Sequence, residues 1–542
     1  MNTAEAMVKI LENEGIKFIF GVPGEQIAGF YKALSKSKIK HILCRNEQTA
    51  GIAGDVYSRT SQKFGVCVST AGPGALNLIM GVATAFKDSV PLLIITADVP
   101  NSLKGKNTMQ DIDLPAIFKP ITVKNYDPEN GKTAILNLKE AIEIFKKEPR
   151  GPIHLNIRKD ILCDEDVEDV INEEVKYNPK YDYLSVDLSI QKLKSTTKPL
   201  IILGEGVRRS NSVDDVKKLI EKHKIPTVHT YHGNGILDSE NLLNFGIIGI
   251  RGSIASITVF KDSDLILALG ATLNERTLNL DKEELDTMDD FMKKFDKKII
   301  HVNIDKSTLK GEIKINGDVK EFLNRIKNEN IFNNIDDNWL SINLKNKDIP
   351  DKSKIYSSDG DILKPQKAIE TILNTHEDSL IVGDAGSHTS WVLIFHNPSE
   401  KGRLINSGGL VPMGYGLPGA IGASIANPGK EVVTIMGDGD LQMNIQDLAT
   451  IAEHKLPITL FVLNNNQLGI IRQWEECLYN MKPYAVNLEN PDFIVISKGY
   501  GIEAEKVSNS KELVSAIKKA KSLKKPYLIE IMVSRENIPL PG

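Results

Sequence analysis

Short apolar runs alternate with amphipathic segments through the first 160 residues of the chain. The runs have the length of buried strands, and the segments between them repeat apolar side chains at helical spacing. This alternation predicts a parallel, doubly wound sheet with helices on both faces. Strands are expected at 17–20, 39–43, 64–69 and 92–96, and helices at 3–14, 26–34, 50–59 and 75–86.

The same alternation returns twice. Strands are expected at 200–203, 227–230, 265–269 and 299–304, and again at 379–382, 431–436, 458–463 and 526–531. Between these sets the sequence is rich in Asn, Asp, Lys and Ser, which favours a linker. The sequence therefore predicts an α/β protein of three doubly wound parallel-sheet domains, at 1–165, 185–330 and 363–542, with a linker at 331–362. Ligands of such sheets bind at the carboxyl ends of the strands.

Composition narrows the classes of partner. The 542 residues include 67 Lys and Arg against 71 Asp and Glu, a balance that argues against nucleic acid. The apolar runs are too short to span a membrane. Cys44, Cys67, Cys163 and Cys477 have neither CxxC nor zinc-ligand spacing, so reduced thiols in the cytoplasm are expected. The expected partners are small molecules.

Two polar motifs follow neighbouring expected strands in the third domain. Gly437-Asp438-Gly439 ends one strand, a helical stretch follows, and the next strand ends in Asn464-Asn465. In such a βαβ unit both strands end at one edge of the sheet. A carboxylate and an amide oxygen placed there suit Mg²⁺. Gly-Asp-Gly alone is usually a turn, but this ordered conjunction is far more specific.

The conjunction resembles the signature of thiamin-diphosphate-dependent enzymes, which binds Mg²⁺ and the diphosphate of the cofactor. The resemblance implies that Asp438 and Asn465 ligate Mg²⁺ through their side chains and Gln467 through its carbonyl oxygen. It also implies pyrimidine-binding, central and diphosphate-binding domains, in that order. The further residues that it places around the cofactor in the third domain are Gly386, Ser387, His388, Val411, Met413, Gly437, Gly439, Asp440, Leu468 and Ile470.

An activating carboxylate is expected at a strand end in the first domain. Glu47 follows the strand at 39–43 and opens a helix, where it would also complement the helix dipole. The resemblance implies instead that Glu47 contacts the cofactor's pyrimidine and promotes formation of the nucleophile. The cofactor-binding residues that it places nearby are Val22, Pro23, Gly24, Thr70, Gly72 and Asn77. It further implies a homodimer or tetramer with the cofactor at the subunit interface.

Three further motifs are Phe20-Gly21-Val22-Pro23-Gly24, Ser407-Gly408-Gly409 and Leu468-Gly469-Ile470-Ile471-Arg472-Gln473-Trp474. They resemble motifs of the catalytic subunit of acetolactate synthases, and the resemblance covers nearly the whole chain. That resemblance places Met109, Gln110, Lys159 and Trp474 near the substrate, and Met413 between the rings of the cofactor. It implies decarboxylation of pyruvate and transfer of the hydroxyethyl unit to a second 2-oxo acid. A lone Trp on a helix is more often a core residue. A decarboxylase that releases an aldehyde, a pyruvate oxidase and a non-catalytic nucleotide-binding homologue are the alternatives.

Several positions depart from the acetolactate synthase pattern. Glu25 stands where biosynthetic enzymes carry a small residue, and Asn46 where His is common. In the central domain Gly204-Glu205-Gly206 lacks a third glycine in register, and Thr272 and Leu136 replace arginines of the FAD site. The resemblance therefore leaves FAD open, together with the true 2-oxo acids and a regulatory small subunit.

Overall fold

The computed structural model describes residues 1–165, 167–278, 298–347, 362–399 and 401–539. Within them lie three six-stranded sheets, as the alternation of apolar runs predicts. In the first sheet the strands are ordered β2-β1-β3-β4-β6-β5, and all five neighbouring pairs are parallel. Its strands are β1 (Phe18–Gly21), β2 (Lys40–Leu43), β3 (Gly65–Ser69), β4 (Leu92–Asp98), β5 (Lys124–Tyr126) and β6 (Ile153–Arg158).

The central sheet has the order β12-β11-β10-β7-β8-β9 and is also parallel throughout. Its strands are β7 (Pro199–Leu203), β8 (Thr227–His229), β9 (Asn244–Ile247), β10 (Leu265–Leu269), β11 (Ile299–Asn303) and β12 (Ile313–Asn316). The chain reverses its direction of winding between β7 and β10. The carboxyl ends of these two strands are therefore where a ligand of an open α/β sheet is expected.

The third sheet has the order β14-β13-β15-β16-β18-β17. Its strands are β13 (Leu380–Gly383), β14 (Arg403–Ile405), β15 (Val432–Gly437), β16 (Ile458–Asn464), β17 (Glu503–Val507) and β18 (Tyr527–Met532). The neighbouring strands β13, β15, β16 and β18 run parallel, so their carboxyl ends share one edge. Most of their side chains are buried, because helices cover both faces of such a sheet.

Helices connect the strands of every sheet. Those before residue 172 are Thr3–Asn13, Ala28–Leu34, Glu47–Ser61, Pro73–Asn77, Ile79–Lys87, Leu114–Phe118, Gly131–Lys147 and Glu168–Ile171. Those between residues 186 and 375 are Val186–Ser195, Gly206–Arg209, Val213–His223, Ile254–Asp262, Glu275–Leu278, Val319–Ile326, Asp337–Asn346 and Pro365–Thr375. The remaining ones are Ser387–Phe395, Gly416–Ala426, Asp438–Met443, Leu448–Glu453, Gly469–Cys477, Phe493–Gly499 and Ser510–Leu523.

By packing, the chain divides into two units. One comprises residues 1–179, 380–389 and 405–535, and therefore contains the first sheet and most of the third. Its two parts meet where helix Glu47–Ser61 packs on helix Gly416–Ala426. A side chain at Gly422 would place its Cβ 2.1 Å from the carbonyl oxygen of Ala53, so glycine is what allows this close approach.

A buried ionic network also joins the two parts of this unit. Arg59 bonds Asp55 and Asp88, each at 2.8 Å, and Tyr415 donates a hydrogen bond of 2.7 Å to Asp55. Asp88 in turn accepts hydrogen bonds from the backbone amides of Gly408 and Gly409. Loss of one partner would leave a buried charge uncompensated, at a cost of about 3–5 kcal/mol.

The second unit comprises residues 180–379, 390–404 and 536–542, and contains the central sheet. Helix Asp337–Asn346 belongs to this unit although it lies within the stretch expected to be a linker. Trp339 and Leu340 are buried in an apolar cluster with residues of β7, β8 and β10, which fixes the helix in place. Residues 348–361 of the expected linker lie outside the described residues.

Two further observations concern membrane-spanning helices and the state of the cysteines. Among the described residues, no helix has both the length and the apolar character needed to cross a membrane. All four cysteines are free thiols, with Cys44 and Cys67 buried and Cys163 and Cys477 exposed.

Candidate active site

Glu47 lies just beyond the carboxyl end of β2, as the first residue of helix Glu47–Ser61. Asn46 is the N-cap of this helix, since its side chain accepts a hydrogen bond from the amide of Gln48. Asn46, which stands where His is common in the family that the sequence resembles, therefore has a structural role as the cap of this helix. Glu47 is 7% exposed, and its Oε2 accepts a hydrogen bond of 2.9 Å from Asn77 Nδ2. The buried carboxylate is thus held in a fixed orientation.

Glycines keep the space beside Glu47 open. A Cβ at Gly74 would lie 2.9 Å from Glu47 Oε1, and one at Gly24 would lie 2.5 Å from the Cβ of Thr70. Gly72 has φ +60°, and Gln110 packs against it. The structure thus brings together Gly24, Glu47, Thr70, Gly72, Asn77 and Gln110, all of which the sequence predicts as site residues. Val22 and Pro23 lie in the turn that leads from β1 to Gly24.

Three buried side-chain oxygen atoms in or next to this group of residues have no hydrogen-bond partner among the described residues. They belong to Gln26, Thr70 and Gln110. A buried polar atom left without a partner costs about 1–3 kcal/mol, so such a cluster points to a missing ligand. Sequence reasoning missed Gln26. A polar residue in the first turn after a Gly-rich loop carries no signal that distinguishes it from an exposed helix residue.

The second group of site residues lies at the carboxyl edge of the third sheet. Gly437 pairs with Leu463 across the parallel strands β15 and β16, so Asp438 and Asn465 follow neighbouring strand ends. Asp438 is 3% exposed, and burial raises the pKa of its carboxyl group. Such a carboxylate requires a compensating cation or hydrogen bonds.

Asn490 provides some of those hydrogen bonds. Its Nδ2 donates to Asp438 Oδ2 at 2.7 Å and to the side-chain oxygens of Asn464 and Asn466 at 3.0 and 3.1 Å. Asn490 therefore orients the expected metal ligand from outside the motif. It lies 52 residues from Asp438 along the chain, and no local pattern marks it.

A small polar cradle adjoins this edge. Gly469 begins helix Gly469–Cys477, and a Cβ there would lie 3.1 Å from Ser387 Oγ and 3.2 Å from Asn465 Nδ2. Gly386, with φ +130°, brings the chain from β13 into this cradle. Hydroxyl and amide donors beside a helix N-terminus form an environment that binds phosphate. The amide of Gln467 donates to Asn465 Oδ1 at 3.0 Å, which positions the Asn465 side chain.

Asp440 and His388 lie next to the cradle. Asp440 Oδ2 accepts a hydrogen bond from the amide of Gly437 and lies 3.6 Å from His388 Nε2, whereas Oδ1 is buried without a partner in the described residues. Burial raises the pKa of Asp440 and lowers that of His388 to about 4. His388 is therefore neutral at pH 7, and one of its ring nitrogens is a hydrogen-bond donor.

Asp384 positions the loop that carries Met413. Its carboxylate accepts hydrogen bonds from the amides of Gly414, Tyr415 and Gly416 at 2.9, 3.1 and 2.6 Å. Burial raises the pKa of Asp384, and these amides oppose that shift. Sequence reasoning gave this residue no role of its own, because the loop that it fixes lies 30 residues further along the chain.

Met413 lies against the helix Asp438–Met443. A Cβ at Gly439 would lie 3.1 Å from the Met413 methyl group and 3.2 Å from Leu468 Cδ2, so these residues form one apolar wall. Val411, two residues before Met413, has φ +56° and donates its amide to Ser407 Oγ. The structure thus assembles Met413, Gly439 and Leu468 as the sequence predicts.

The residues expected around the substrate are more dispersed. Lys159 Nζ bonds Glu25 Oε1 at 2.7 Å, and both side chains are substantially exposed. Trp474 is 42% exposed on helix Gly469–Cys477, which also carries Ile470, and Met109 is 71% exposed. Among the described residues we find no hydrogen bond that joins the group around Glu47 to the group around Asp438.

Comparison with known proteins accounts for this geometry. Three family models match consecutive parts of the chain: the N-terminal TPP binding domain of thiamine pyrophosphate enzymes at residues 1–117, their central domain at 186–326 and their C-terminal TPP binding domain at 384–531. Curated relatives match it almost from end to end.

A probable acetolactate synthase large subunit of Methanococcus aeolicus is 33% identical, over 98% of this chain and 92% of its own length. The probable acetolactate synthase large subunit of Methanocaldococcus jannaschii is 33% identical over 100% of this chain and 94% of its own length. The acetolactate synthase large subunit of Lactococcus lactis subsp. lactis is 33% identical over 99% of this chain and 93% of its own length. The chain belongs to the thiamine pyrophosphate enzyme family. Its cofactor is thiamin diphosphate, and Mg²⁺ is the standard metal of this family.

The residues at the two sheet edges fit that cofactor. The cradle at Gly469 would be filled by a side chain, and the unpartnered oxygens of Asp440, Thr70 and Gln110 lie in the two groups of residues at these edges. One carboxylate, one amide oxygen and a backbone carbonyl form an all-oxygen ligand set, as Mg²⁺ prefers.

The turn for which the sequence leaves FAD open, Gly204-Glu205-Gly206, makes its contacts within the protein. A Cβ at Gly204 would lie 2.1 Å from the carbonyl oxygen of Gly270, and the amide of Gly206 donates to that same oxygen at 2.9 Å. Glu205 between them bonds Arg208 and Arg403. The glycines of this turn therefore serve the contact between two loops of the protein.

Proposed function

We propose that the protein is an acetolactate synthase, which decarboxylates pyruvate and transfers the two-carbon unit to a second 2-oxo acid. The observation that carries the proposal is the 33% identity to acetolactate synthase large subunits over 98–100% of the chain. Retention of Glu47, Asp438 and Asn465 at two sheet edges supports a catalytic role over that of a non-catalytic homologue.

Each half of the proposed site has its own task. Asp438, Asn465 and the carbonyl of Gln467 would bind Mg²⁺, while Ser387 and the backbone at Gly386 would hold the diphosphate. When bound, thiamin diphosphate supplies a carbon nucleophile and accepts the electrons released with CO₂. Glu47 would hydrogen-bond the pyrimidine and hold a proton there, because Asn77 keeps its carboxylate oriented. Met413 would support the cofactor from the side of Gly439.

The second substrate would bind beside Lys159, Gln110 and Trp474. The ammonium group of Lys159 is already paired with Glu25, so the pair presents little net charge to an incoming carboxylate. Carboligation needs an acceptor that binds before the aldehyde leaves, and a neutralised Lys159 would attract the carboxylate of that acceptor only weakly. The pair therefore favours the second candidate function, a 2-oxo acid decarboxylase that releases an aldehyde.

Product analysis tests the proposed function. The purified protein, supplied with thiamin diphosphate, Mg²⁺ and pyruvate, is expected to form acetolactate, which is measured as acetoin after acid treatment. About two pyruvate molecules should be consumed for each CO₂ that is released. Acetaldehyde with a one-to-one ratio would instead support the decarboxylase. Acetyl phosphate, or reduction of a bound flavin, would support a pyruvate oxidase.

We also propose that two copies of the chain share each cofactor. The side chains of Leu76 and Met80 flank Asn77 and are 37% and 41% exposed, which is unusual for apolar residues beside a buried site. Tyr479 and Tyr484 extend the exposed apolar surface beyond Trp474. A second copy that covers these residues would bring Glu47 of one chain toward Asp438 of the other. A regulatory small subunit is a further proposed partner, since the relatives are named large subunits.

The proposed location is the cytoplasm. Cys163 and Cys477 are exposed free thiols, a state that a reducing compartment maintains.

A further inference from the structure

The loop 99–113 joins β4 to helix Leu114–Phe118 and carries Gln110. Gln110 has φ +66°, in the left-handed region that a residue other than glycine adopts only when its surroundings hold it there. Its side chain packs against Gly72, and its Oε1 is buried without a partner in the described part of the chain. The position of this oxygen therefore depends on what fixes the loop.

Lys104, which precedes Gln110 in the same loop, bonds both ends of the segment around it. Its Nζ donates to Asp98 Oδ2 at 2.6 Å and to the carbonyl oxygen of Ile112 at 2.8 Å, and it lies 3.6 Å from Asp111 Oδ1. Asp98 is the last residue of β4, and Ile112 follows shortly after Gln110. The ammonium group of Lys104 therefore holds the two ends of the segment that carries Gln110 together.

Asp98 is a rigid anchor for Lys104. Its side chain is fully buried, and Oδ2 also accepts a hydrogen bond of 2.9 Å from Asn156 Nδ2, while Oδ1 accepts one of 2.8 Å from the amide of Val99. Such a buried carboxylate requires compensation, to which Lys104 contributes a positive charge. The carbonyl oxygen of Asp98 accepts a hydrogen bond of 3.0 Å from the amide of Lys159. One anchor thus positions two residues that are proposed to lie near the second substrate.

We propose that Lys104 is a positioning residue, which holds Gln110 beside the second substrate through this loop. The inference rests on the proposed function, which places Gln110 there. An ion pair on a protein surface contributes little, because water and salt screen it. Here the carboxylate is fully buried and the side chain of Lys104 is only 24% exposed, so the screening is weaker.

Lys104→Met removes the ammonium group and keeps the length of the side chain. With thiamin diphosphate, Mg²⁺ and saturating pyruvate, CO₂ release is expected to be roughly 10–100-fold slower, because a displacement of about 1 Å in an active site can cost about 10²-fold. Lys104→Arg keeps a cationic donor to Asp98 and is expected to recover most of this loss. If Lys104→Met fails to fold by circular dichroism, Asp98→Asn combined with Lys104→Met removes both charges and takes its place.

A double-mutant cycle with Gln110→Ala separates positioning from a general structural effect. If Lys104 acts through Gln110, Lys104→Met is expected to add less than about a twofold loss in a chain that already carries Gln110→Ala. Losses that multiply in the double variant would overturn the proposal. Lys106→Met is the matched control, since Lys106 is an exposed lysine of the same loop, and its CO₂ release should equal that of the unaltered protein.

Hydrogen exchange tests the same contacts without any substrate. The amides of Leu103, Lys106 and Asp111 are hydrogen-bonded within the loop, and in Lys104→Met they are expected to exchange roughly tenfold faster or more. The amides of helix Gly131–Lys147 should exchange at an unaltered rate. Equal exchange of the loop in the two proteins would overturn the proposal. An unaltered protein that released no CO₂ from pyruvate would contradict the proposed function instead, and the exchange rates would still decide whether Lys104 fixes the loop.

Discussion

Glu47→Gln is expected to lower the turnover number by about 10²–10⁴-fold, the usual contribution of a positioned proton-transfer group. The substitution keeps the size of the side chain, and its amide oxygen can still accept the hydrogen bond from Asn77 Nδ2. Thiamin diphosphate affinity should therefore change little. Steady-state kinetics with pyruvate, together with fluorescence titration of the cofactor, measure the two effects separately.

The matched control is Glu453→Gln. Glu453 is an exposed carboxylate that pairs with Arg45 at 2.7 Å, outside both groups of site residues. Its loss removes a surface ion pair of small energetic value, so activity should be unchanged. Near-normal turnover in Glu47→Gln would remove the catalytic role assigned to Glu47, whereas equal losses in both variants would indicate a structural effect.

Asp438→Ala is expected to weaken Mg²⁺-dependent binding of thiamin diphosphate by roughly 10²-fold or more, because it removes the one carboxylate proposed to ligate the metal. Raising the Mg²⁺ concentration should recover part of the activity. Calorimetry with thiamin diphosphate, at several Mg²⁺ concentrations, measures the change. The thermal stability of the protein without cofactor should not fall, since burial disfavours the charged form of this carboxylate.

Asp492→Asn provides the control for this variant. Asp492 caps helix Phe493–Gly499 near the same motif, and Asn is an equally good N-cap residue. Unaltered cofactor affinity is expected. Cofactor binding in Asp438→Ala that matched the unaltered protein at every Mg²⁺ concentration would contradict the proposed metal site.

The fold could be predicted from the sequence where strands are continuous apolar runs. The expected strands at 92–96 and 458–463 correspond to Leu92–Asp98 and Ile458–Asn464. The strand Ile153–Arg158 was missed because His154 and Asn156 interrupt its apolar pattern. Both side chains are buried and bonded to Thr96, at 2.7 and 2.9 Å, so the polar atoms are satisfied across the sheet.

The site could be predicted where its residues occupy strand ends. Asp438 and Asn465 follow from the parallel pairing of β15 and β16, and Glu47 from its place after β2. The roles of Asn490, Gln26 and Asp384 could not be found in this way, although Asp384 itself follows β13. Asn490 and Asp384 act through contacts with loops that are remote in sequence, and the identity of those loops is a property of the folded chain. Gln26 follows a Gly-rich turn, and no sequence pattern marks it.

The central claim is that one thiamin diphosphate site combines Glu47 of one chain with Asp438 of another. Co-expression of Glu47→Gln and Asp438→Ala chains with different tags, followed by measurement of acetolactate formation, tests it directly. A mixed dimer then carries one site with both substitutions and one site with neither. Random pairing makes half the dimers mixed, so activity of about a quarter of the unaltered protein is expected. Activity no higher than that of the two variants assayed separately would contradict the claim, because a site built from one chain is inactive in every such dimer.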